Sequence, residues 1–591
     1  MYNKSSDMPT EIESSADLAK KNKIPQICTQ PHEGIDTASD YREESLAVDG
    51  ALDEEWVDIR PSEVKPPIAY WDFYQRTSKI SWQAAASYTF SLQMVVLTYL
   101  LSRLDNDNNQ DLAAVTLIST VINSTVIVGI APLLAMGLSV SKDIGTVTQL
   151  EARDQRKRTR GELSEDAENS LLPLKRQIIS GVLRNGMIVG TASSVVFMIP
   201  VMVGSEFILT HLFFQDSEIA KIAQDFIRPY AFAIPGIMTR VATDQVLYAF
   251  ERTKPAMIIG LASFSFWMPL SIYLAFGTPN LGATGLLIGC GLDGYTTSLG
   301  YAAYLAYSPR FIKYNFFDFR QPWLPEHIEQ MKIIRGLGRS ILLSIATETA
   351  MTVAMSVFAG AIGVEQQAAF SVIMQVSLLT LLLQISFGQT SSQNIGQYIG
   401  RNEFENASRA AKIGLAAMLS YIAPVLILFA AYPDMLLSIQ KNNDHSFTHT
   451  IKTIAPIIFI GLLLDATRFQ LLQQLRSLGA AKQASTLSCS AIALGILLSG
   501  VLGLETDMGI YGVATGFAAS TGLATLGLSS LWLNKVQPDA IAHTKNHPEQ
   551  FVSLNLFSVF TKKRNANHNS SVEMIENPVH SKEPPHEAIA F

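Results

Sequence analysis

Apolar residues along the chain fall into twelve long runs, with most polar and charged residues lying between them. A helix needs about 20 mostly apolar residues to cross a bilayer, because every backbone N–H and C=O must be bonded within the helix once water is excluded. The pattern predicts twelve transmembrane helices, at approximately 80–101, 113–141, 177–203, 226–250, 256–276, 281–307, 338–362, 367–397, 407–431, 452–475, 483–503 and 509–533. The predicted fold class is an all-α polytopic membrane protein.

The twelve runs divide into two sets of six, and the second run of each set begins and ends with similar residues. The second run opens at Asp111–Val115 and the eighth at Gln367–Phe370. They close at Gly137–Gly145 and Gly388–Gly396, each with a Gly, small polar residues and a final Ile-Gly. A duplicated bundle is typical of secondary transporters, in which two similar halves rock about a central site. We therefore predict two pseudo-symmetric six-helix bundles.

The polar segments predict the domain organisation. Residues 1–79 carry an excess of Asp and Glu, which indicates a mostly disordered tail. We expect an N-terminal lobe at 80–307, a linker with a short surface helix at 308–337, a C-terminal lobe at 338–533 and a second tail at 534–591. Lys and Arg accumulate in the loops after even-numbered helices, so the positive-inside rule places both termini in the cytoplasm. We expect a multi-pass protein of the cell (inner) membrane.

Composition narrows the class of function. The chain has 591 residues, of which 48% are hydrophobic and 16% charged, as in polytopic membrane proteins. No phosphate loop, nucleophile elbow or paired-cysteine motif is present in the sequence, so we expect a transporter and not an enzyme, with no cofactor. The expected partners are a small amphipathic or cationic substrate and membrane lipids around a monomer, without nucleic acid. The partners of the tails are unknown.

Four acidic residues lie inside the predicted helices, where an ionised side chain costs about 2.5–3.5 kcal/mol on insertion scales. Glu348 has no basic neighbour in sequence, so it needs a cation, a proton or a distant partner. Thr352 and Met355 share its helix face, which we interpret as the wall of a cavity for flexible apolar cations. Asp465 lies three residues before Arg468. The pair is either an internal salt bridge or part of a cation or proton site.

The other two acids lie in the first six helices. Asp244 follows Arg240 by four residues, so the two side chains share one helix face and can neutralise each other. Asp293 has hydroxyl neighbours at Thr296, Thr297 and Ser298, so it is either hydrogen-bonded or functional. Both are supporting candidates for the site.

Several segments resemble the multidrug and toxic compound extrusion (MATE) transporters, within the wider multidrug/oligosaccharidyl-lipid/polysaccharide exporter superfamily. These are Leu112–Val115, Gly363–Ala369, Ile395–Gly400 and Leu475–Gly479, and the resemblance covers about residues 80–535. It implies an antiporter that exports organic cations or other amphipathic compounds in exchange for Na⁺ or H⁺.

The resemblance also implies a location for the coupling cation. In one branch of the family a Glu of the seventh helix and an Asp of the tenth bind it, and Glu348 and Asp465 fall on those positions. A Na⁺ ion at these two residues is the one metal ion that we expect. Two alternatives stay open: a flippase for a lipid-linked sugar, and a membrane scaffold that acts through its tails without transporting.

Overall fold

The computed structural model describes residues 69–88, 109–160, 171–207, 231–278, 281–318, 324–437 and 445–546, with single positions at 210, 211, 221, 224, 228 and 320. Within these ranges the long helices are α1 (Tyr70–Ser87), α2 (Asn109–Arg160), α3 (Leu171–Phe207), α4 (Ile234–Ala249), α5 (Thr253–Phe276), α6 (Gly282–Tyr307), α7 (Pro325–Ile362), α8 (Val364–Gly400), α9 (Phe404–Ala431), α10 (His445–Ser477), α11 (Ala481–Gly500) and α12 (Ile510–Lys535). A short α13 (Pro538–Asn546) follows.

Each of the first twelve helices overlaps one predicted span, and the described residues contain no strand. The all-α fold class is confirmed. By length and apolar composition alone, six of the described helical stretches could cross a membrane: Gly129–Arg156, Thr253–Phe276, Pro325–Ile362, Phe404–Ala431, Thr448–Ser477 and Ala481–Glu505.

Three boundaries differ from the expected ones. The linker's surface helix is not separate, because α7 runs unbroken from Pro325 to Ile362. Proline suits the first turn of a helix, and the two glycines that follow, Gly336 and Gly338, lower helix propensity without ending the helix. Helix α1 begins ten residues before the predicted span, and residues 538–546 of the second tail form α13, which packs on α9.

The predictions for the remaining parts of the tails lie outside the described residues. These comprise the acidic segment before residue 69 and everything after residue 546.

Each half of the chain has its own hydrophobic core. One cluster consists mainly of buried side chains of α2 to α6 and also includes residues at the start of α7 and α11. Two more clusters consist mainly of buried side chains of α7 to α12. Across the halves, α2 packs against both α7 and α8, while α1 packs against α5 of its own half and against α8 and α9 of the other. The two halves therefore meet mainly along α1 and α2 of the first half and α7, α8 and α9 of the second.

The duplicated segments that close the second and eighth apolar runs contact each other at this interface. A methyl group added at Gly145 would overlap the backbone of Gln397, one at Gly396 would overlap the Ser141 hydroxyl, and one at Gly400 would overlap the Lys142 carbonyl. We call these three glycines the glycine seam. Helices approach this closely only where a side chain is absent.

The seam lies at one end of the helix bundle. Helix α7 begins at this end, α8 and α10 end there, and short turns lead from them into α9 and α11. We call it the linker end. The side-chain amide of Gln397 adds a hydrogen bond across the halves there, to the Ala249 carbonyl oxygen at 2.7 Å.

Candidate functional site

Arg468 occupies the centre of the candidate site and connects three helices of the C-terminal half. Its Nε donates to Asp465 Oδ1 at 2.8 Å on its own helix α10. Its Nη2 donates to Glu348 Oε1 at 2.7 Å on α7, and its Nη1 donates to Ser488 Oγ at 2.8 Å on α11. The planar guanidinium presents its donors in fixed directions, so these three acceptors fix the mutual position of α7, α10 and α11.

The two carboxylates reach accessible space, although the arginine does not. The side chains of Glu348 and Asp465 are 25% and 23% exposed, whereas that of Arg468 is 1% exposed. One positive and two negative groups leave a net charge of −1 when all are ionised. Arg468 contacts one oxygen of each carboxylate, which leaves the second oxygen of each for a proton or a cationic group. The internal salt bridge and the carboxylate pair are therefore parts of one arrangement.

A similar arginine lies in the N-terminal half, but its surroundings are closed. Arg240 on α4 donates through Nη1 to Asp293 Oδ2 on α6 at 3.1 Å and through Nη2 to the carbonyl oxygen of Ser87, the last residue of α1, at 2.8 Å. Its Nε lies 3.9 Å from Asp244 Oδ2. Ser263 donates to Asp293 Oδ1 at 2.5 Å.

Accessibility separates the two arrangements. The side chains of Asp244 and Asp293 are 3% and 0% exposed, so ions or substrates cannot reach them without a change of structure. Asp293 is paired and hydrogen-bonded as a structural ion network requires, and Asp244 is buried within salt-bridge distance of the same arginine. The structure thus places Asp244 and Asp293 together, on α4 and α6, and apart from the Glu348 and Asp465 group on α7 and α10.

Thr352 and Met355 do not form one polar and apolar wall beside Glu348. Thr352 is exposed, and its hydroxyl donates to the Glu348 carbonyl oxygen at 3.2 Å. Met355 is 1% exposed and belongs to the hydrophobic core of the C-terminal half. Its spacing of seven residues from Glu348 gives two full turns, but neighbouring helices cover that part of the face. In the described conformation Met355 is a core residue, and its role beside a substrate cavity stays a prediction.

The equivalence of the two arginines was missed in the sequence, although a signal was present. Thr239-Arg240 is followed by Gln245 and Leu247, and Thr467-Arg468 is followed at the same spacing by Gln473 and Leu475. Each threonine donates to the carbonyl four residues before it, at 2.8 Å in α4 and 2.9 Å in α10. This repeat relates the fourth helix of each half and puts an arginine at the same position in both.

Two similar halves of packed helices, with ionic groups enclosed in each, are typical of membrane transporters. A family model described as MatE matches residues 175–273 and 340–501, with one segment in each half. The chain belongs to the multidrug and toxic compound extrusion (MATE) family, as its sequence motifs predict.

Curated relatives are multidrug resistance proteins. A probable multidrug resistance protein NorM of a Synechococcus species is 25% identical over 43% of this chain and 55% of its own length. The multidrug resistance protein NorM of Vibrio vulnificus is 23% identical over 72% of this chain and 88% of its own length. The chain thus spans about half of the first relative and most of the second.

Solved structures with the same fold include MATE transporters from different sources. A eukaryotic MATE transporter superposes with a TM-score of 0.63 at 14% identity, covering 80% of this chain and 99% of that one. An outward-facing multidrug resistance MATE transporter gives a TM-score of 0.65 at 13% identity, covering 80% and 97%. This similarity establishes the fold.

Proposed function

We propose that the protein is a proton-coupled antiporter that exports organic cations or other small amphipathic compounds by alternating access. The observation that carries the proposal is the pair of accessible carboxylates, Glu348 and Asp465, on either side of the buried Arg468 guanidinium. The family of the chain and the names of its multidrug resistance relatives support the class of substrate.

The arrangement favours a proton over Na⁺ as the coupling ion. A sodium ion would need oxygens from both carboxylates and would lie close to the fixed positive charge of Arg468, which already contacts one oxygen of each. Like charges at such distances repel by several kcal/mol in a partly buried site. A proton binds to a single carboxylate oxygen and leaves the arginine in place, so it neutralises the site without displacing any group.

Competition for the same negative charge would couple the two fluxes. With both carboxylates ionised, the net charge of −1 attracts a cationic substrate. Protonation of Glu348 or Asp465 removes that charge and favours the state that releases substrate. A ligand can shift the equilibrium between the two conformations of the transporter only as far as its affinities for those conformations differ.

We further propose that the linker end faces the cytoplasm of the cell (inner) membrane. The basic residues in the last turns of α2, at the start of α3 and after α4 and α6 lie at this end, in agreement with the positive-inside rule. Because the glycine seam closes the halves there, the described conformation corresponds to the state that is shut toward the cytoplasm.

The test is transport of a fluorescent organic cation by purified protein in liposomes, under an imposed pH gradient or an imposed Na⁺ gradient. We expect the pH gradient alone to drive transport and both Glu348→Gln and Asp465→Asn to abolish it. Asp434→Asn is the matched control, because Asp434 pairs with Lys452 at 2.6 Å on the exposed surface and that pair is outside the site.

Each outcome has a definite meaning. Transport driven by Na⁺ alone would refute the proton and retain the antiporter. Absence of transport under either gradient would refute the exporter and favour the flippase or the scaffold. Full activity in both carboxylate variants would refute the assigned site.

A further inference from the structure

A second arginine of α10 lies deep in the same half and takes no part in the site described above. Arg476 is 2% exposed, and its Nε and Nη2 are both buried. Among the described residues, neither atom has a hydrogen-bond acceptor. Removing a guanidinium from water costs several kcal/mol unless an anion compensates it. This side chain therefore needs a negatively charged partner.

The two free nitrogens point to the shape of that partner. Nε and Nη2 form one edge of the guanidinium, and their parallel N–H groups are the pair that grips a carboxylate or a similar anion side-on. Arg468 provides the comparison within the same helix, because each of its three nitrogens has an acceptor on a different side chain. The guanidinium edge formed by Nε and Nη2 of Arg476 is thus arranged to bind a small anion through two parallel hydrogen bonds.

The surroundings of Arg476 add polar groups that suit such a ligand. Side chains on a helix tilt toward its N-terminus, so the guanidinium is directed away from the linker end and toward Glu348. It lies within electrostatic range of Glu348 on α7, of Arg468 and of Cys489 on α11.

Buried hydroxyls lie one helical turn from two of these neighbours, on the linker side. They belong to Ser344 on α7 and Ser485 on α11, and they are joined by a hydrogen bond of 3.3 Å. Arg476 is therefore buried in a part of the core that contains polar side chains of α7, α10 and α11.

Comparison of the two halves shows that the N-terminal half has an uncharged residue at the position equivalent to Arg476. Arg476 follows Arg468 by eight residues, and the residue that follows Arg240 by eight is Tyr248. The Tyr248 hydroxyl is bonded to the Ser87 hydroxyl, so that position is neutral and satisfied. An arginine in place of the tyrosine adds a full positive charge that neither Glu348 nor Asp465 contacts in the described structure.

We propose that Arg476 binds a small monovalent anion, a halide or a carboxylate, in the core of the C-terminal half between α7, α10 and α11. Its role rests on the proposed function: when Glu348 is protonated or pairs with a cationic substrate, the anion compensates the charge of Arg476. The binding itself does not depend on transport.

The experiment measures thermal unfolding of the purified full-length protein in detergent, with sodium methanesulfonate, which is neither a halide nor a carboxylate, replaced stepwise by sodium chloride at constant ionic strength and pH. We expect a saturable rise of Tm, because a ligand that binds only the folded state stabilises it. Arg476→Gln should raise the half-saturating chloride concentration about tenfold or more, as expected for the loss of a charge-assisted hydrogen-bond pair. Arg409→Gln is the control, because its guanidinium stacks over the Tyr70 ring outside this core and its loss should leave the chloride effect intact.

The titration is repeated with sodium formate in place of sodium chloride. A saturable rise of Tm with formate indicates a site that binds a carboxylate, and a rise with chloride alone indicates a site for a halide. A saturable rise that is unchanged in Arg476→Gln, or no saturable rise in the native protein, would overturn the proposal.

A second measurement does not require the variant to fold. Line broadening of the chloride-35 resonance by the native protein should contain a component that formate competes away, and its absence would also refute the site. Anion binding that depends on Arg476 without proton-driven transport would keep this inference and refute the proposed coupling.

Discussion

Replacing Gly400 with alanine tests whether the glycine seam holds the two halves together at the linker end. A methyl group at this position would lie 3.0 Å from Gly145 Cα and 3.0 Å from the Thr146 backbone nitrogen, and closer still to the Lys142 carbonyl oxygen. Ordinary contacts of a carbon atom are about 3.5–4.0 Å, and the Lys142 carbonyl oxygen is the nearest atom, so α2 and α8 must separate by more than about 1 Å. The obstructing atoms are backbone and cannot rotate away.

The cost of this separation sets the expected effect. Overpacking of this kind costs about 1–3 kcal/mol. Because the methyl group clashes only when the seam is closed, the penalty shifts the equilibrium toward the state in which the halves are apart at this end. A coupling energy of that size corresponds to a change of about 5–150-fold in the ratio of the two states.

The assay is the labelling rate of a cysteine beside the seam by a membrane-impermeant maleimide. Thr146→Cys introduces a side chain of similar volume, and Cys28, Cys290 and Cys489 are first replaced by serine. Labelling should be faster in Gly400→Ala by a factor within the range above. Gly522→Ala is the matched control, because the nearest atom to its added methyl group is the Leu464 Cδ1 at 3.6 Å, an ordinary contact. Equal labelling rates in the two variants would refute the role of the seam.

Three further predictions concern the buried arginines. Arg468→Gln should destabilise the protein in detergent by about 3–5 kcal/mol, measured by equilibrium unfolding, because two carboxylates lose their shared cation. Ser488→Ala should cost about 1–3 kcal/mol in the same measurement, because it removes one buried acceptor of Arg468. Ser490→Ala, in which the lost hydroxyl is exposed and bonded only to its own helix, should change stability by less than about 0.5 kcal/mol. Asp293→Asn should lower stability without moving the pH profile of transport, and a shifted profile would contradict the closed, structural character of the Arg240 network.

Much of the fold could be predicted from hydrophobic pattern alone, since each apolar run is helical in the part of it that the structure describes. The boundaries that differed, at Tyr70 and Pro325, are places where a helix continues beyond the apolar run. A helix ends where capping and breaking residues stop it, whereas the hydrophobic pattern ends where the bilayer does. The two positions need not coincide.

The candidate site shows the limit of pattern reasoning. The sequence indicates that Arg468 is close to Asp465, because the spacing is local. That Glu348, which lies 120 residues away, bonds the same guanidinium depends on how α7 and α10 are rotated against each other. Met355 shows the same limit, because helical spacing identifies the face that it shares with Glu348 but not the neighbour that covers it.

Because α7 is one unbroken helix, a movement of its first residues against the N-terminal half also moves Glu348 in the C-terminal half. At its base, His327 lies 3.4 Å through Nε2 from the Gln177 carbonyl oxygen on α3, in the N-terminal half. From Pro325 to Glu348 the helix rises 23 residues, or about 35 Å at 1.5 Å per residue. A rotation of only a few degrees at the base would displace the Glu348 carboxylate by about 2 Å over that length, enough to break its contact with Arg468. Force applied to the linker therefore acts directly on the charge that holds the candidate site together.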